Sequence, residues 1–567
     1  MSLLDWIVLI GFLSFVVIYG ILKTRGKKNL QEYLLADRKT PWYMVTLSIM
    51  ATQASAITFL STPGQAYVDG MRFVQFYLGL PIAMIILSIT AVPIYHRLKV
   101  YTAYEYLEQR FDLKNRALGS ILFLIQRGLA AGFTIFAPAL IISVILGWNI
   151  DLTLITLGTL IVLYTASGGT DAVNKTHFLQ MIIILVGMLS AFFMLINSLP
   201  QDVSFLDATK IAGKMGRLNA ITFDFEWKDR YNFWTGLIGG TFLALSYFGT
   251  DQSQVQRYLS GKSIAQSRIG LLANGIVKIP MQFCILYLGA MVFVFYQFVV
   301  PPLFFNSVET TKVKSSIYSK EYKNLENQFS NIHAEKQNEL RALLQADRNN
   351  NDEALKGNIE KIRGSQKAAI EIKEKAKQVI KKVNPKADTN DTNYIFLSFV
   401  INVLPAGLIG LVLASILSAS MSSTSAELNA LASTTVVDIY KRMVKTGASE
   451  KHYLIVSKIS TVIWGFIAIG FAMFANRLGT LIEAVNILGS LFYGTILGIF
   501  LIAFYFKKIG GSATFYSAII AEIIVIACFL FTEIPYLWYN AIGCILLILS
   551  AHILNPLFNK IESNHLK

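Results

Sequence analysis

Cysteine is scarce in this sequence, and so are charged residues. The 567 residues include three cysteines, Cys284, Cys528 and Cys544, and only 15% of the chain is charged. Three thiols within separate apolar runs provide neither a disulfide framework nor a metal cluster, so we interpret them as small buried side chains. The sequence also lacks a nucleophile–base constellation of the kind that would predict an enzyme.

The amino terminus lacks the signals of a cleaved leader. It reads MSLLDWIVLIGFL, without a basic region before the apolar run and without a clear small-residue cleavage site. We therefore expect a retained first membrane span. The net charge of +15 is explained by basic loops and a basic insertion, so nucleic-acid binding is not predicted.

Long apolar runs are abundant. Hydrophobic residues make up 54% of the chain and recur in runs of about 20 residues, the length that a helix needs to cross a bilayer. The fold class predicted is an all-α polytopic membrane protein. The thirteen candidate spans are 5–22, 42–63, 74–97, 117–147, 150–167, 175–198, 232–257, 270–299, 405–438, 452–475, 480–506, 512–531 and 536–555.

The basic residues indicate an orientation. Lysine and arginine concentrate in alternate short loops, including 23–39, 97–116, 262–268, 441–451 and 507–508. The positive-inside rule places these loops in the cytoplasm. We therefore predict a multi-pass protein of the plasma (inner) membrane, with the N-terminus outside and the C-terminus cytoplasmic.

The ninth span is unusually rich in hydroxyl groups. It carries ten Ser or Thr side chains between Leu411 and Thr435. Ala419, Ser422 and Ser423 are spaced to share one helix face, and two neutral hydroxyls without a carboxylate suit a weakly held monovalent cation. A packing seam of small residues is the alternative interpretation.

Two spans have polar, small centres. The second span contains Gln53 within SIMATQASAIT, and the seventh contains Gly239–Gly240 and SYFGT at 246–250. Two interrupted helices at corresponding places predict an inverted repeat with a binding site near the bilayer midplane. Gln53 could equally bond a neighbouring helix, because intramembrane polar side chains often hold helices together.

Ionisable groups also lie within the apolar runs. Arg127 is ten residues into its span, and Lys278 lies within the eighth. A guanidinium near the bilayer centre needs an acidic partner, a cavity or an anionic ligand, and the sequence leaves these open. Asn486, one helical turn from Glu483, could face a cavity or bond to neighbouring helices.

One long hydrophilic segment, 302–392, interrupts the apolar pattern. Its apolar residues recur at helical spacing on both sides of a break at Arg348–Asp352, which predicts a two-helix hairpin. The orientation above places the hairpin outside. Its charges indicate a solvated face, with an accessory partner as the alternative.

Five motifs together resemble the sodium/solute symporter family, which includes sodium-coupled transporters of glucose, sialic acid, iodide, monocarboxylates and vitamins. The resemblance covers about 5–510. The motifs are SIMATQASAITFLSTPGQAY at 48–67, YTAYEYLEQRF at 101–111, YTASGGTDAV at 164–173, SYFGTDQSQVQRYL at 246–259 and LVLASILSASMSSTSAELNALASTTVVDIY at 411–440.

The resemblance implies a five-plus-five inverted-repeat bundle of the amino-acid-transporter kind. It implies these parts of the chain: 1–40 extra helix and loop, 41–199 first repeat, 200–231 outer loop, 232–506 second repeat with the 302–392 insertion, and 507–567 extra helices and tail. The glycine pair at 168–169 predicts a tight turn between the fifth and sixth spans.

The resemblance also implies two sites and no cofactor beyond the coupling ion. The sodium site maps onto Ala51, Ala54, Ala419, Ser422 and Ser423. The substrate site maps onto Gln53, Ser55, Thr58, Arg127, Tyr247, Lys278 and Asn486. Three positions depart from common family residues: His177 replaces an Asp, Ala244 an Asn and Tyr77 a Glu, which weakens a second sodium site and a hexose pocket.

The function expected is sodium-coupled import of a small polar solute, a sugar, sugar acid or monocarboxylate, by alternating access. One mapped site predicts one sodium ion. The alternatives are a proton-coupled or uncoupled carrier, in which His177 titrates, and a membrane sensor that binds solute without transport.

Overall fold

The computed structural model describes residues 1–24, 34–474 and 480–565, and within helices it omits the side chains of residues 17, 20–24, 167–175 and 559–565. Over these ranges the secondary structure is helical, apart from one isolated bridge between Thr40 and Gly261. The all-α class expected from the apolar runs is therefore confirmed.

The first part of the chain, as far as the structure describes it, contains the following α-helices before the second interrupted span. They are α1 (Leu3–Thr24), α2 (Trp42–Gln53), α3 (Ala56–Asp69), α4 (Leu80–Ile89), α5 (Ala91–Leu98), α6 (Glu105–Arg110), α7 (Leu113–Leu146), α8 (Ile150–Asn197) and α9 (Phe205–Lys214). A 3-10 segment, Gly70–Tyr77, joins α3 to α4.

The second part contains the interrupted seventh span, the hairpin and the remaining apolar helices. They are α10 (Gly240–Gly249), α11 (Gln252–Leu259), α12 (Ile264–Phe298), α13 (Ser307–Lys314), α14 (Ser319–Arg348), α15 (Asp352–Val383), α16 (Thr392–Val403), α17 (Leu408–Thr434), α18 (Glu450–Ala472), α19 (Leu481–Tyr505), α20 (Gly511–Phe531) and α21 (Tyr536–His565). π-helical turns, Thr235–Gly239 and Thr435–Val444, precede α10 and extend α17.

Helix length and hydropathy make this a multi-pass membrane protein. Within the described residues, nine helical stretches are long and apolar enough to cross a bilayer, and Leu3–Val16, Ile150–Ala166, Thr235–Gly249 and Thr392–Val403 are shorter apolar helices. The count of thirteen spans stays a prediction.

One boundary differs from the sequence-based expectation. The fifth and sixth spans were expected to be separated by a turn at 164–173, whereas α8 runs without interruption from Ile150 to Asn197. For residues 167–175, which make up most of the expected turn, the structure describes the helical backbone but not the side chains. Glycine costs a helix only about 1 kcal/mol relative to alanine, so a glycine pair favours a turn without forcing one.

Both expected interruptions are present. Helix α2 ends at Gln53 and α3 begins at Ala56, with Ala54 at φ −85° and ψ 73° and Ser55 extended. Helix α10 ends at Gly249 and α11 begins at Gln252. Each interruption frees backbone groups, which a membrane protein tolerates only where they are buried in protein or line a cavity.

The hydroxyl-rich helix α17 lies inside the bundle. It packs against α2, α7 and α8, and almost every residue from Val412 to Thr434 is buried. Hydroxyls that faced lipid would be unsatisfied, whereas here protein groups surround them. By contrast, α20 exposes a row of apolar side chains that includes Ile519, Ile523 and Leu530.

The first helix holds the beginning of α17. Asp5 Oδ1 accepts hydrogen bonds from the backbone N–H groups of Gly407, at 2.7 Å, and Gly410, at 3.1 Å. The first N–H groups of a helix have no partner within the helix, and a carboxylate there satisfies them and complements the helix dipole. Helix α1 therefore anchors the helix that carries the candidate ion site.

The hydrophilic segment forms two long antiparallel helices. Helices α14 and α15 pack on each other around a small apolar core that includes Phe329, Val379 and Ile380. Asn349–Asn351 form the connection between them. His333 Nε2 hydrogen-bonds the carbonyl of Tyr296 at 2.9 Å, so the hairpin rests on the end of α12.

A close contact between α3 and α12 supplies a test of this packing. A Cβ at Gly289 would lie 2.3 Å from the Pro63 carbonyl oxygen and 2.7 Å from its Cα. Gly289→Ala must separate the two helices, so we expect a loss of about 1–3 kcal/mol, measured as a lower melting temperature of the purified protein. Gly357→Ala in the hairpin, where a Cβ meets nothing within 4 Å, is the control and should be neutral or stabilising. Equal melting temperatures for the two variants would contradict the contact.

Candidate functional site

The expected sodium ligands meet where the first interruption faces α17. The Ser422 hydroxyl donates to the carbonyl of Ala51 at 3.3 Å, and the Ser423 hydroxyl lies 3.1 Å from the carbonyl of Ala419. Ala54 is the residue at which the helical backbone ends. All five residues are buried. The structure thus brings the Ser422 hydroxyl of α17 to the Ala51 carbonyl of α2 at a buried place, and neutral hydroxyl and carbonyl oxygens are donors that suit an alkali cation.

His177 lies beside this place and bridges the same two helices. Its Nδ1 is 3.1 Å from the Ser48 hydroxyl, and its Nε2 is 3.4 Å from the Ser422 carbonyl. A carbonyl only accepts, so Nε2 carries the proton and Nδ1 of the neutral ring accepts from Ser48. The imidazole therefore spans α2 and α17 through both ring nitrogens.

A small cavity lies next to the interruption. Its volume is about 90 Å³, below the 300–1,000 Å³ usual for drug-sized ligands. The expected substrate residues that line it are Gln53, Ser55, Thr58, Arg127, Tyr247 and Asn486. The structure thus gathers all of the expected substrate residues except Lys278.

The polar groups of the cavity differ in whether they already have partners. Tyr247 accepts a hydrogen bond from Gln254 Nε2 at 2.7 Å, and Asn486 Nδ2 donates to the Ile482 carbonyl at 2.7 Å. Gln53 Oε1 is buried and has no hydrogen-bond partner among the described residues. Gln53 is therefore the amide whose acceptor is open to a ligand.

Lys278 is buried behind the cavity wall. Its Nζ lies 5.7 Å from the ring centre of Tyr77, which lines the cavity, and it makes no hydrogen bond with a described residue. Charge on a buried ammonium is costly without a partner, and an aromatic ring compensates only part of that cost. Lys278 therefore influences the cavity through Tyr77 and not by lining it.

Arg127 has acidic partners. Its Nη1 donates to Glu427 Oε1 at 3.1 Å, and its Nη2 bonds Asp251 Oδ2 and the Tyr493 hydroxyl. The Nε remains buried without a partner in the described structure. Of the alternatives left open by the sequence, the ion pair is present, and the Nε–H group has no partner among the described residues.

Asp251 and Glu427 are fully engaged in turn. Asp251 Oδ1 accepts from the backbone N–H of Ser253 at 2.9 Å and so caps α11, while Glu427 Oε2 accepts from Thr134 Oγ1 at 2.9 Å. The cluster ties α7 to the second interruption and to α17.

Sequence analysis missed Asp251, Glu427 and Tyr493 as site residues. A signal existed, because Glu427 lies inside an apolar span and a carboxylate there is expensive unless it is paired. Arg127 also required a partner of opposite charge. What the sequence lacked was the distance between residues 124 and 300 positions apart.

Comparison with known families identifies the bundle. The profile described as "Sodium:solute symporter family" matches residues 33–315 and 374–521. The chain belongs to this family. The expectation from the five motifs is confirmed, and a symporter family agrees with the prediction that the protein is not an enzyme. The hairpin helix α14 lies in the unmatched interval 316–373.

Curated relatives include two transporters. The human sodium/iodide cotransporter is 32% identical over 274 residues, which is 48% of this chain and 42% of that protein. Mouse sodium-coupled monocarboxylate transporter 1 is 27% identical over 505 residues, 88% of this chain and 68% of that protein. The chain thus spans less than half of the first relative's length.

A solved structure shows the same fold. A sodium-coupled sialic acid symporter, captured in a substrate-bound outward-open state, matches with a TM-score of 0.73 over 98% of both chains at 20% identity. The likeness extends over the whole bundle, including α20 and α21.

The buried ion pairs of Arg127 can be tested by substitution. Arg127→Met leaves two buried carboxylates without their cation, so we expect a loss of about 3–5 kcal/mol, seen as a large fall in melting temperature. Arg127→Met combined with Glu427→Gln should be less destabilising than the single change, because one buried charge is removed with the cation. Lys210→Ala, which breaks an exposed pair with Asp347, is the control and should cost at most about 1 kcal/mol. Similar small effects of Arg127→Met and Lys210→Ala would refute the cluster.

Proposed function

We propose that this protein is a sodium-coupled symporter that imports a small polar solute by alternating access. The observation that carries the proposal is the contact of 3.3 Å between the Ser422 hydroxyl and the Ala51 carbonyl in a chain of this family. The ion site consists of the carbonyls of Ala51, Ala54 and Ala419 with the two serine hydroxyls. Neutral oxygens hold Na⁺ weakly enough for it to be released on the other side.

The cavity supports a sugar, a sugar acid or a monocarboxylate as the solute. Its wall combines tyrosine rings, of Tyr77, Tyr247 and Tyr493, with the amides of Gln53 and Asn486. Aromatic faces with a few polar groups are typical of sites for small polar solutes. The Nε of Arg127 is available to one solute oxygen, whereas the two carboxylates already occupy its other nitrogens.

Coupling between the ion and the solute follows from the order in which ion-site and cavity residues alternate along the first interruption. Ala51 and Ala54 belong to the ion site, while Gln53 and Ser55 line the cavity. An ion that holds the carbonyls of this segment against α17 also fixes the neighbouring solute-binding groups, so ion and solute share one coupling free energy. A membrane potential contributes about 2.3 kcal/mol per charge per 100 mV to accumulation.

The placement in the cell is part of the proposal. The basic loops favour the plasma (inner) membrane with the N-terminus outside and the C-terminus cytoplasmic. Segments 41–199 and 232–506 form the two inverted repeats, each beginning with an interrupted helix. The 302–392 hairpin then lies outside, where an accessory partner could reach it.

Uptake into proteoliposomes tests the coupling. We expect one of lactate, N-acetylneuraminate and glucose to accumulate only with an inward sodium gradient. Ser422→Ala with Ser423→Ala should abolish the sodium dependence, because it removes both hydroxyl ligands. Ser433→Ala, eleven residues along α17 with its hydroxyl on the Ala430 carbonyl, is the control and should transport normally.

The alternatives give different results in the same vesicles. Accumulation driven by a proton gradient without sodium would favour a proton-coupled carrier. Binding of solute without accumulation would favour a sensor. Sodium dependence that survives in the double serine variant would refute the ion site.

The ion stoichiometry is a separate prediction. His177 occupies, with its bonds to Ser48 and Ser422, the position at which relatives commonly carry an Asp. A neutral imidazole supplies no negative charge for a second ion, so uptake should depend on sodium with a Hill coefficient near one. His177→Asp should raise the coefficient, whereas His177→Asn should not. A Hill coefficient near two in the unaltered protein would contradict this.

A further inference from the structure

A larger cavity lies between the hairpin and the membrane bundle. Its volume is about 550 Å³, within the range of small-molecule sites. Its walls come from the end of α3, the end of α12, the loop that carries Arg217, the segment 301–305, both hairpin helices and residues 389–395. Tyr67 in its wall is nine residues beyond Thr58 of the central cavity, about 13 Å along α3. The two cavities are therefore separate.

The cavity is lined by cations that lack acidic partners. Arg217, Lys336 and Lys373 all line it, and none forms a salt bridge within 4 Å with a described residue. Lys377, which also lines the cavity, pairs with Glu374 at 2.7 Å, and elsewhere in the hairpin Lys382 pairs with Glu321 at 3.0 Å. The three cations at the cavity are buried or half-buried, unlike exposed lysines of the hairpin such as Lys361 and Lys375.

Aromatic rings, and not carboxylates, contact two of these cations. The Arg217 guanidinium lies 4.4 Å from the ring centre of Phe293, and Lys373 Nζ lies 5.3 Å from Phe305 and 5.5 Å from Phe329. The ring of Tyr67 contacts Phe293 edge-on at 5.4 Å. Rings hold cations in place without neutralising them, and they leave an apolar wall beside the charges.

Polar atoms in the same wall are buried and unused. Arg217 Nε, His333 Nδ1 and Gln297 Oε1 have no hydrogen-bond partner among the described residues. Buried polar groups in native proteins nearly always have partners, so unpartnered ones around a cavity indicate a missing ligand or water. The described acidic residues that line the cavity are Asp391 and the paired Glu374, while Glu339 and Asp69 act from outside the lining on Lys336 and Arg217.

We propose that this cavity is a binding site for an organic anion, with a carboxylate held among Arg217, Lys336 and Lys373 and an apolar body against the rings of Tyr67, Phe293 and Phe305. Charge-assisted hydrogen bonds to a carboxylate are about twice as strong as neutral ones. The site is distinct from the sodium site and the central cavity, and it requires neither sodium nor transport.

Mutual repulsion among the cations supports this assignment. Burial, together with the charges of Lys373 and Arg217, lowers the pKa of Lys336 to about 8, against an opposing effect of Glu339. Burial also lowers the pKa of Lys373, with Lys377 acting in the same direction and Asp391 against it. An anion between these groups relieves the repulsion. The pKa of His333 is lowered by burial, so the imidazole is neutral near pH 7.

Calorimetric titration of the purified full-length protein with benzoate tests the site. The buffer contains potassium and no sodium, so that the central site is not loaded. Benzoate should bind, whereas benzamide, which has the same shape without the charge, and acetate, which has the charge without the ring, should bind about tenfold more weakly or not at all. Benzamide or acetate binding as tightly as benzoate would overturn the proposal, as would a lack of benzoate binding.

Matched variants locate the binding. Lys336→Gln with Lys373→Gln should weaken benzoate binding about tenfold or more, since two charge-assisted contacts are lost. Lys361→Gln with Lys375→Gln removes the same charge from exposed positions of α15 and should leave binding unchanged. The first variant should melt no lower than the unaltered protein, because it removes repulsion. Equal binding by both variants would overturn the proposal.

The sodium-site variant separates this inference from the proposed function. Ser422→Ala with Ser423→Ala should bind benzoate normally, even though it loses sodium-dependent uptake. Loss of benzoate binding in that variant would place the ligand in the central cavity and refute an outer site.

The affinity for benzoate should depend on pH, and the direction of the change follows from the lysine pKa shifts. Lysines with lowered pKa lose their charge as the pH rises from 7 to 9, so benzoate affinity should fall over this interval. Benzoate itself remains ionised throughout. Affinity that stays constant from pH 7 to 9 would contradict the role of Lys336.

Discussion

The fold depends on a guanidinium that is buried inside the helix bundle. Arg127 reaches from α7 to Asp251 at the second interruption and to Glu427 on α17. A charge in this position is tolerable only if its partners are fixed, and the partners lie on two elements other than its own helix. Arg127 and Glu427 line the central cavity, and the pair of Arg127 with Asp251 holds the second interruption against α7.

The two interruptions solve the same problem with different chemistry. At the second, a side chain satisfies the freed backbone: Asp251 caps α11 with one oxygen and pairs with Arg127 through the other. At the first, Ser55 offers no side-chain cap, and the Ala51 carbonyl receives only the Ser422 hydroxyl from outside its helix. Neutral groups hold the carbonyls of the first interruption, including Thr58 Oγ1 on the Gln53 carbonyl, whereas an ion pair holds the second, so a cation would reorganise the first more easily.

Sequence patterns predicted those features of the fold that depend on local composition. The apolar runs, both interruptions and the hydroxyl face of α17 follow from periodicity and residue type, and the motif resemblance placed Gln53, Ser55 and Thr58 at one cavity. Contacts across long separations could not be predicted in this way. The partners of Arg127 and the bridge of His177 between Ser48 and Ser422 depend on how α7, α8 and α17 cross. The continuity of α8 depends on a small glycine penalty that the flanking helix outweighs.

The cationic side chains of the two cavities differ in whether they have acidic partners. This difference determines which ligands each cavity can select. In the central cavity the charge of Arg127 is already paired with two carboxylates and only its Nε is left without a partner among the described residues, so the solute site proposed above selects mainly by shape and individual hydrogen bonds. Under the hairpin, Lys373 lies over the rings of Phe305 and Phe329 and interacts with Lys336, so in the proposed outer site the field is positive and charge is the criterion. Because the hairpin lysines contribute to this wall, the insertion adds an electrostatic property that the rest of the bundle does not have.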